Sequence, residues 1–436
     1  MVKRARETKG RAFWSVWLLV AAAWSIGCIV QEDPTDPGLP EHMDVTQFAQ
    51  IELSEHFEPL EASAMPASPT NRFADDPLAA AMGEELFFDR GLSADGSIGC
   101  VSCHNPGLGF SDARSVSVGV GGREGRRLAP GIWNVGYLAT GWTLWDGRAD
   151  SLWVQPLLAI EDSNEHDFSR VEVYHYIRSE YAQTYREVFG PLPDLEDLPQ
   201  RAMPGMPEWE LMSEVERAGV NQVFANVGKS IEAFERTLVC ADTRFDRFLR
   251  GEQELDEVER LGARAFVASG CQECHSGALF TDGGFHNIGI GSRTTVGARG
   301  REAGAQLVWP SVFNGAGPYS DDRAAGSAKL TTIQEEGPEM LGAFKTPSLR
   351  GVGQRAFFMH NGSFGSLDSV MAFYADAEDA PAQNGTRGVH DAKFLEVDVQ
   401  QGVAIIAFLR TLDCRPHRRT IFVGGRALDP GGAQGG

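Results

Sequence analysis

One short pattern occurs twice in this chain of 436 residues, as Cys100-Val101-Ser102-Cys103-His104 and as Cys271-Gln272-Glu273-Cys274-His275. Seven Cys and ten His scattered at random would produce roughly 0.003 such motifs. C-x-x-C-H is the pattern of covalent haem attachment: two thiols form thioethers with the haem vinyl groups, and the His behind them ligates the iron. A zinc site or a redox disulfide gives no reason for a His directly after the second Cys, twice. Cys100, Cys103, Cys271 and Cys274 are therefore read as haem anchors, and His104 and His275 as proximal ligands.

The surroundings of the two motifs repeat one plan. Asp76-Pro77 opens a helical pattern carried by Leu78, Met82 and Leu86, and a loop then leads into the first motif. Residues 105–147 are Gly-rich and poorly periodic. Residues 166–189 and 208–239 have apolar spacing of 3.6. A further helix over 256–269 runs up to the second motif, residues 276–345 are again Gly-rich loop, and helices return at 366–376 and 398–412. Loops of this length need something large to wrap, and a haem in each half supplies it. Cys240 and Cys414 each end a predicted helix; in an oxidising compartment they pair, and otherwise they are two buried thiols.

The N-terminus reads as an export signal. Lys3, Arg4, Arg6, Lys9 and Arg11 precede an apolar run over 12–27, short for a membrane span. Gly27 before Cys28 resembles a bacterial lipoprotein cleavage box, with Cys28 as the lipidated first residue. Leu is usual where Ser25 stands, so ordinary cleavage stays open, as does an uncleaved anchor. Residues 28–71, rich in Pro, Asp, Glu and Ser, read as a disordered tether, and 416–436 as a tail. The formal charge of −21 excludes a general nucleic-acid binder, and the mean hydropathy of −0.23 excludes a multi-span membrane protein. Membrane association is by lipid anchor only, facing the periplasm.

Around the first motif stand Gly83-Glu84-Glu85-Leu86-Phe87-Phe88-Asp89, Leu92-Ser93, Gly109-Phe110-Ser111-Asp112 and Trp145-Asp146-Gly147-Arg148-Ala149. Around the second stand Phe280-Thr281-Asp282, the block Gly342 to Arg350, Met359-His360-Asn361-Gly362 and Phe373-Tyr374. In these ordered blocks, over about residues 72–412, the chain resembles the bacterial di-haem cytochrome c peroxidases, a family that includes the MauG enzymes. The resemblance implies a mainly α fold of two cytochrome c-like haem domains with long wrapping loops, here 72–240 (peroxidatic) and 241–415 (electron transfer), each holding one haem c.

The resemblance also implies roles. Val120 stands where reducible peroxidases carry a distal His, so the first haem is expected to rest with an open iron. Glu165, twenty residues after Trp145, matches the family's distal acid, followed here by His166, and Gln155 matches its pocket Gln. Trp145 is expected between the haems as an electron relay, and Arg148 beside a propionate. Tyr374, fourteen after His360, falls where MauG enzymes use Tyr as the second haem's distal ligand; Met371, one turn earlier, is the alternative. A phenolate depresses the reduction potential where Met would raise it. The family's inter-haem calcium site is unsupported: Leu128 follows Arg127, and Arg355 and Phe357 replace two expected residues before His360.

Together these imply a peroxide-dependent oxidoreductase. Hydrogen peroxide reacts at the first haem, Glu165 handles its proton, and electrons arrive through the second haem from a small cytochrome c or cupredoxin. The alternatives are MauG-like oxidation of a residue in a partner protein, and a non-enzymatic di-haem electron carrier.

Overall fold

The computed structural model describes residues 44–138, 141–291, 299–333, 339–375 and 399–414, with shorter pieces at 337, 388, 390–391, 421–423 and 426–428. Helix dominates among them. Two short antiparallel strand pairs accompany the helices, Phe285–His286 with Phe344–Lys345 and Ile421–Val423 with Arg426–Leu428. The expected signal segment, Cys28 and its lipidation lie outside the described residues.

Each half is built on one close helix crossing. Asp76 accepts from the backbone N–H groups of Leu78 and Ala79, and Pro77 sits in the first turn, so the helix Pro77–Phe88 starts where its caps dictate. It buries Met82, Gly83, Leu86 and Phe87 against the helix Glu214–Glu235. Only Gly permits that approach: a Cβ on Gly83 would lie 1.9 Å from the Ser230 carbonyl oxygen. The second half repeats the device. Asp256 and Glu259 form a capping box at the start of the helix Glu257–Ala268. That helix crosses Val399–Arg410, and a Cβ on Gly262 would lie 1.8 Å from the Ala404 carbonyl oxygen.

Each crossing organises its own apolar cluster. The first gathers Met82, Leu86, Phe87, Trp153, Tyr174, Val223 and Phe224; the second gathers Phe245, Phe266, Phe280, Ile405, Phe408 and Leu409. A disulfide between Cys240 and Cys414 ties the end of the last long helix to the segment joining the two clusters, across 174 residues of chain.

Several expectations need correction. The segment read as tether is ordered from residue 44 onward. Leu53, Phe57 and Leu60 are buried, Phe57 packs edge-on against Phe245 at 5.2 Å, and the Leu60 N–H donates to Asp246 at 3.0 Å. Leu53 and Phe57 enter a cluster already rich in Phe. The helix expected over 166–189 starts at Arg170 and breaks at Tyr181 into Arg170–Glu180 and Ala182–Phe189. The one expected over 208–239 divides into Pro207–Leu211 and Glu214–Glu235, since Ser213 and Glu216 form a capping box that starts the second piece. The second long loop contains helices Arg301–Gln306 and Arg323–Leu330, and the region read as tail contains the pair at 421–428.

Candidate haem sites

Two cavities open beside the two motifs. The first is lined by Cys100, Cys103 and His104 together with Gln155, Glu165 and His166. The second is lined by Cys271, Cys274 and His275 together with Met371 and Tyr374. Leu128, Ala129, Pro130 and Trp145 line both, so these residues form the wall between them.

Both histidines are oriented by the same local device. The Nδ1 of His104 donates to the carbonyl of Phe110 at 3.0 Å, and that of His275 to the carbonyl of Phe280 at 3.0 Å. Phe110 and Phe280 each hold a positive φ, 56° and 53°, which turns the carbonyl back toward the ring. With its proton on Nδ1, each imidazole keeps Nε2 as a bare lone pair for a metal. Burial holds both rings below the usual imidazole range, hence neutral and fit to ligate. Burial likewise pushes the Cys103 thiol up to about 11 and Cys271 up to about 12. The four motif sulfurs are free of disulfides. A cavity beside each pair of thiols, with an imidazole fixed to present Nε2, fits a c-type haem in each half.

The blocks after the motifs also repeat. Leu144 and Gly147 have φ of 66° and 66°, Met359 and Gly362 have 66° and 64°. Each block is closed by a bridge between residues six positions apart, Thr143 to Ala149 and Phe358 to Phe364. Trp145 and His360 therefore occupy equivalent positions. Their rings meet edge-to-face at 6.4 Å. Trp145 is 9% exposed and its Nε1 donates to the Leu128 carbonyl at 2.8 Å, which fixes the indole in the wall. The His360 ring stacks on Phe344 at 3.5 Å, its Nε2 has no hydrogen-bond partner, and burial with the nearby Arg127 charge lowers it to about 3. Asp146 joins Arg127 at 2.7 Å and Arg148 at 3.6 Å. Burial opposes ionisation of Asp146, but the two guanidinium groups hold it below the usual carboxylate range.

Glu165 lines the first cavity, close to the C-terminal end of the helix Gln155–Glu161, on whose first residue Gln155 stands. Its carboxyl is raised to about 7, first by burial and then by Asp162, with Arg148 and Arg126 pulling the other way. His166 is buried, with Nδ1 donating to the Leu92 carbonyl at 2.7 Å. Val120 is buried too, its N–H on the Glu165 carbonyl at 2.9 Å, and it is not among the residues lining the cavity. Tyr374 and Met371 lie three residues apart on the helix Leu367–Ala375, both facing the second cavity. Burial pushes the Tyr374 phenol up.

Glu235 and Lys345 have no role assigned from sequence, and Arg355 reads there only as a positive charge in place of calcium. Glu235 lines the first cavity; it is 3% exposed, its Oε2 has no partner, and burial, with Glu232 nearby, raises it to about 8. Lys345 and Arg355 line the second.

This fold and its paired cavities define a di-haem c-type oxidoreductase. A family model described as di-haem cytochrome c peroxidase matches residues 77–254. The chain is 32% identical to the methylamine utilization protein MauG of Methylorubrum extorquens, over 78% of this chain and 80% of that one. It is 30% identical to the cytochrome-c peroxidase IdrP1 of Denitromonas iodatirespirans, over 80% and 85%. Among solved structures, a MauG-like protein associated with microbial copper homeostasis superposes with TM-score 0.56 at 23% identity, covering 91% of this chain and 99% of that one. The diheme peroxidase BthA of Burkholderia thailandensis gives 0.57 at 22%, covering 81% and 89%. At those identities the two structures speak for the fold alone. The chain belongs to the di-haem cytochrome c peroxidase and MauG family, whose members are peroxidase-type oxidoreductases carrying two c-type haems.

Proposed function

We propose that this protein reduces hydrogen peroxide in the first cavity and receives electrons by way of the second. Cys100 and Cys103 hold one haem covalently, with His104 on its iron; Cys271 and Cys274 hold the other, with His275. These two sites make two cytochrome c-like haem domains, 72–240 and 241–415, joined along the Leu128–Pro130 and Trp145 wall. The haems, when bound, supply the redox chemistry. The chain supplies access, protons and a route between the sites.

Glu165 is the observation that carries this reading. A carboxyl near 7, in the cavity that His104 lines, is half ionised at neutral pH and suited to both halves of a proton transfer. It takes the proton from one peroxide oxygen and returns it to the other, which leaves as water. Gln155 lines the same cavity, which supports a role in hydrogen-bonding the peroxide. Arg148 and Arg126 keep Glu165 from being locked in its neutral form. Trp145 passes electrons through the wall, and the donor is a small cytochrome c or cupredoxin.

The test is rapid mixing of the ferric protein with peroxide. We expect a prompt spectral change without prior reduction, since Val120 offers no ligand to displace. Glu165→Gln should keep both haems and slow that change by about 10²–10⁴-fold. The proton must be taken by the ionised carboxylate, so the wild-type rate should rise with pH through about 7 and the variant's should not. An unchanged rate in the variant would assign the proton to another group.

Tyr374 favours a second reading, MauG-like oxidation of a residue in a partner protein. A phenolate on the second iron would hold that haem at low potential, making it a poor entry port and a good store for an oxidising equivalent. Redox titration separates the two: a high-potential second haem points to Met371 and to the conventional peroxidase. A carrier without catalysis would want both irons closed, which the Val120 position opposes. For localisation, we propose export to the periplasm with a lipid on Cys28. No helix among the described residues is long and apolar enough to cross a membrane.

A further inference from the structure

The second cavity is lined by two cations that form no ion pair among the described residues. Arg355 donates through Nη2 to the carbonyls of Ser348 and Arg350, at 2.9 and 3.1 Å, while its Nε has no partner. Lys345 donates to the carbonyl of Trp142 at 2.5 Å. Among the described residues, no carboxylate forms an ion pair with either. Two other enclosed cations are paired with carboxylates. Arg350, 1% exposed, sits on Asp246 at 2.7 Å; Lys229, 2% exposed, sits on Asp321 at 2.7 Å. Enclosure without a counter-ion is costly, and it shows: Lys345 is lowered to about 8 and Arg355 to about 10, in both cases chiefly by burial. The acid nearest in influence on Arg355 is Asp413, which forms no ion pair with it and whose Oδ1 is itself without a hydrogen-bond partner.

The two residues border one wall of the cavity. A Cβ on Gly131 would lie 3.0 Å from the Arg355 Nε, and the backbone N–H of Lys345 donates to the Trp145 carbonyl at 2.8 Å. Gly131 continues the segment Leu128–Pro130, so the Arg355 guanidinium and the Lys345 backbone adjoin the wall toward the first cavity. The polar groups that gather with Cys274 are different: His286, held between Asp282 at 2.8 Å and Asp391 at 2.5 Å. A c-type haem has this polarity. Its vinyl-derived edge is fixed by the thioethers, and its two propionate carboxylates leave from another edge.

We propose that Arg355 and Lys345 bind the propionates of the second haem, and that Arg355 is the positioning residue that sets this haem's reduction potential. This rests on the di-haem reading. A carboxylate on the guanidinium gives the Nε its missing acceptor, and a planar fork matches a carboxylate better than a point charge does. A fixed positive charge beside a haem stabilises the reduced form, which carries one more negative charge. Removing it must lower the potential.

The experiment uses the full-length holoprotein, with haem content from the pyridine haemochrome and separate midpoint potentials from spectroelectrochemical titration. Arg355→Gln is expected to keep two haems, to shift the second haem to lower potential and to leave the first where it was. Arg355→Lys is expected to recover most of the shift, and Lys345→Gln to produce one of the same sign. If Arg355→Gln does not fold, Lys345→Gln carries the same test. An unmoved second potential in these variants overturns the assignment, and so does an equal shift at both haems. One haem per chain in the wild type would overturn the di-haem reading itself, a result distinct from two haems with unmoved potentials.

Discussion

The two cavities are built on one scaffold and differ in the charges that carry no ion pair. Around the first stand carboxyls that protein surroundings keep from ionising freely, Glu165 near 7 and Glu235 near 8. Around the second stand cations that form no ion pair among the described residues, Lys345 and Arg355. Yet the helix crossings, the Phe carbonyls that orient the histidines and the turns carrying Trp145 and His360 are repeated. A repeated backbone therefore fixes where a cofactor sits, while a handful of enclosed charges decide what it does there. Acids that titrate near neutral pH suit a site that must give and take protons. Unanswered cations suit a site that must hold a charged cofactor and tune its potential.

The comparison breaks most completely at the anchors. Cys100→Ser with Cys103→Ser should reduce the pyridine haemochrome from two haems per chain to one, and so should Cys271→Ser with Cys274→Ser. The first pair should abolish peroxide turnover, whereas the second should leave a peroxide-induced spectral change at the remaining haem. If each pair left both haems in place, the attachment sites would be elsewhere. A smaller loss is expected at the link between the halves. Chain entropy for a closed loop of 174 residues sets an upper value of about 5 kcal/mol, and measured losses run about 2–5 kcal/mol. Cys240→Ser with Cys414→Ser should show this in denaturant unfolding with haem content unchanged. Below that come the crossings. Gly83→Ala and Gly262→Ala each drive a methyl into a backbone carbonyl, and overpacking of this kind costs about 1–3 kcal/mol. Similar losses would support the structural repeat; a loss at only one would show that the two crossings bear unequal load.

The repeat itself was legible in the sequence, because C-x-x-C-H is a strong pattern and helix caps such as Asp76-Pro77 announce their helices. The internal breaks were legible too but were overrun by apolar periodicity: Ser169 with Glu172, and Ser213 with Glu216, are capping boxes written in the chain. Residues 44–71 read as tether because composition averages over a window, whereas Leu53, Phe57 and Leu60 act singly, each in a place another part of the chain prepares. Lys345 and Arg355 were visible as letters. That they lack a carboxylate is a fact about what folds around them, and no window of sequence contains it.

The smallest expected effect tests the wall that the two cavities share. Trp145 and His360 are equivalent by position but unequal by chemistry: one is an oxidisable indole held by the Leu128 carbonyl, the other an imidazole kept neutral by burial and the Arg127 charge. If Trp145 relays electrons, Trp145→Phe keeps the packing and removes the ring that is readily oxidised. Peroxide binding at the first haem should proceed at the wild-type rate. The slower step, in which the oxidising equivalent reaches the second haem, should lose about tenfold, or about 1.4 kcal/mol of barrier. His360→Phe supplies the control: it alters the equivalent position but leaves the indole, and should cost less. A Trp145→Phe variant whose second haem responds as fast as the wild type's would reduce Trp145 to core packing. The wall would then separate the two cavities without connecting them.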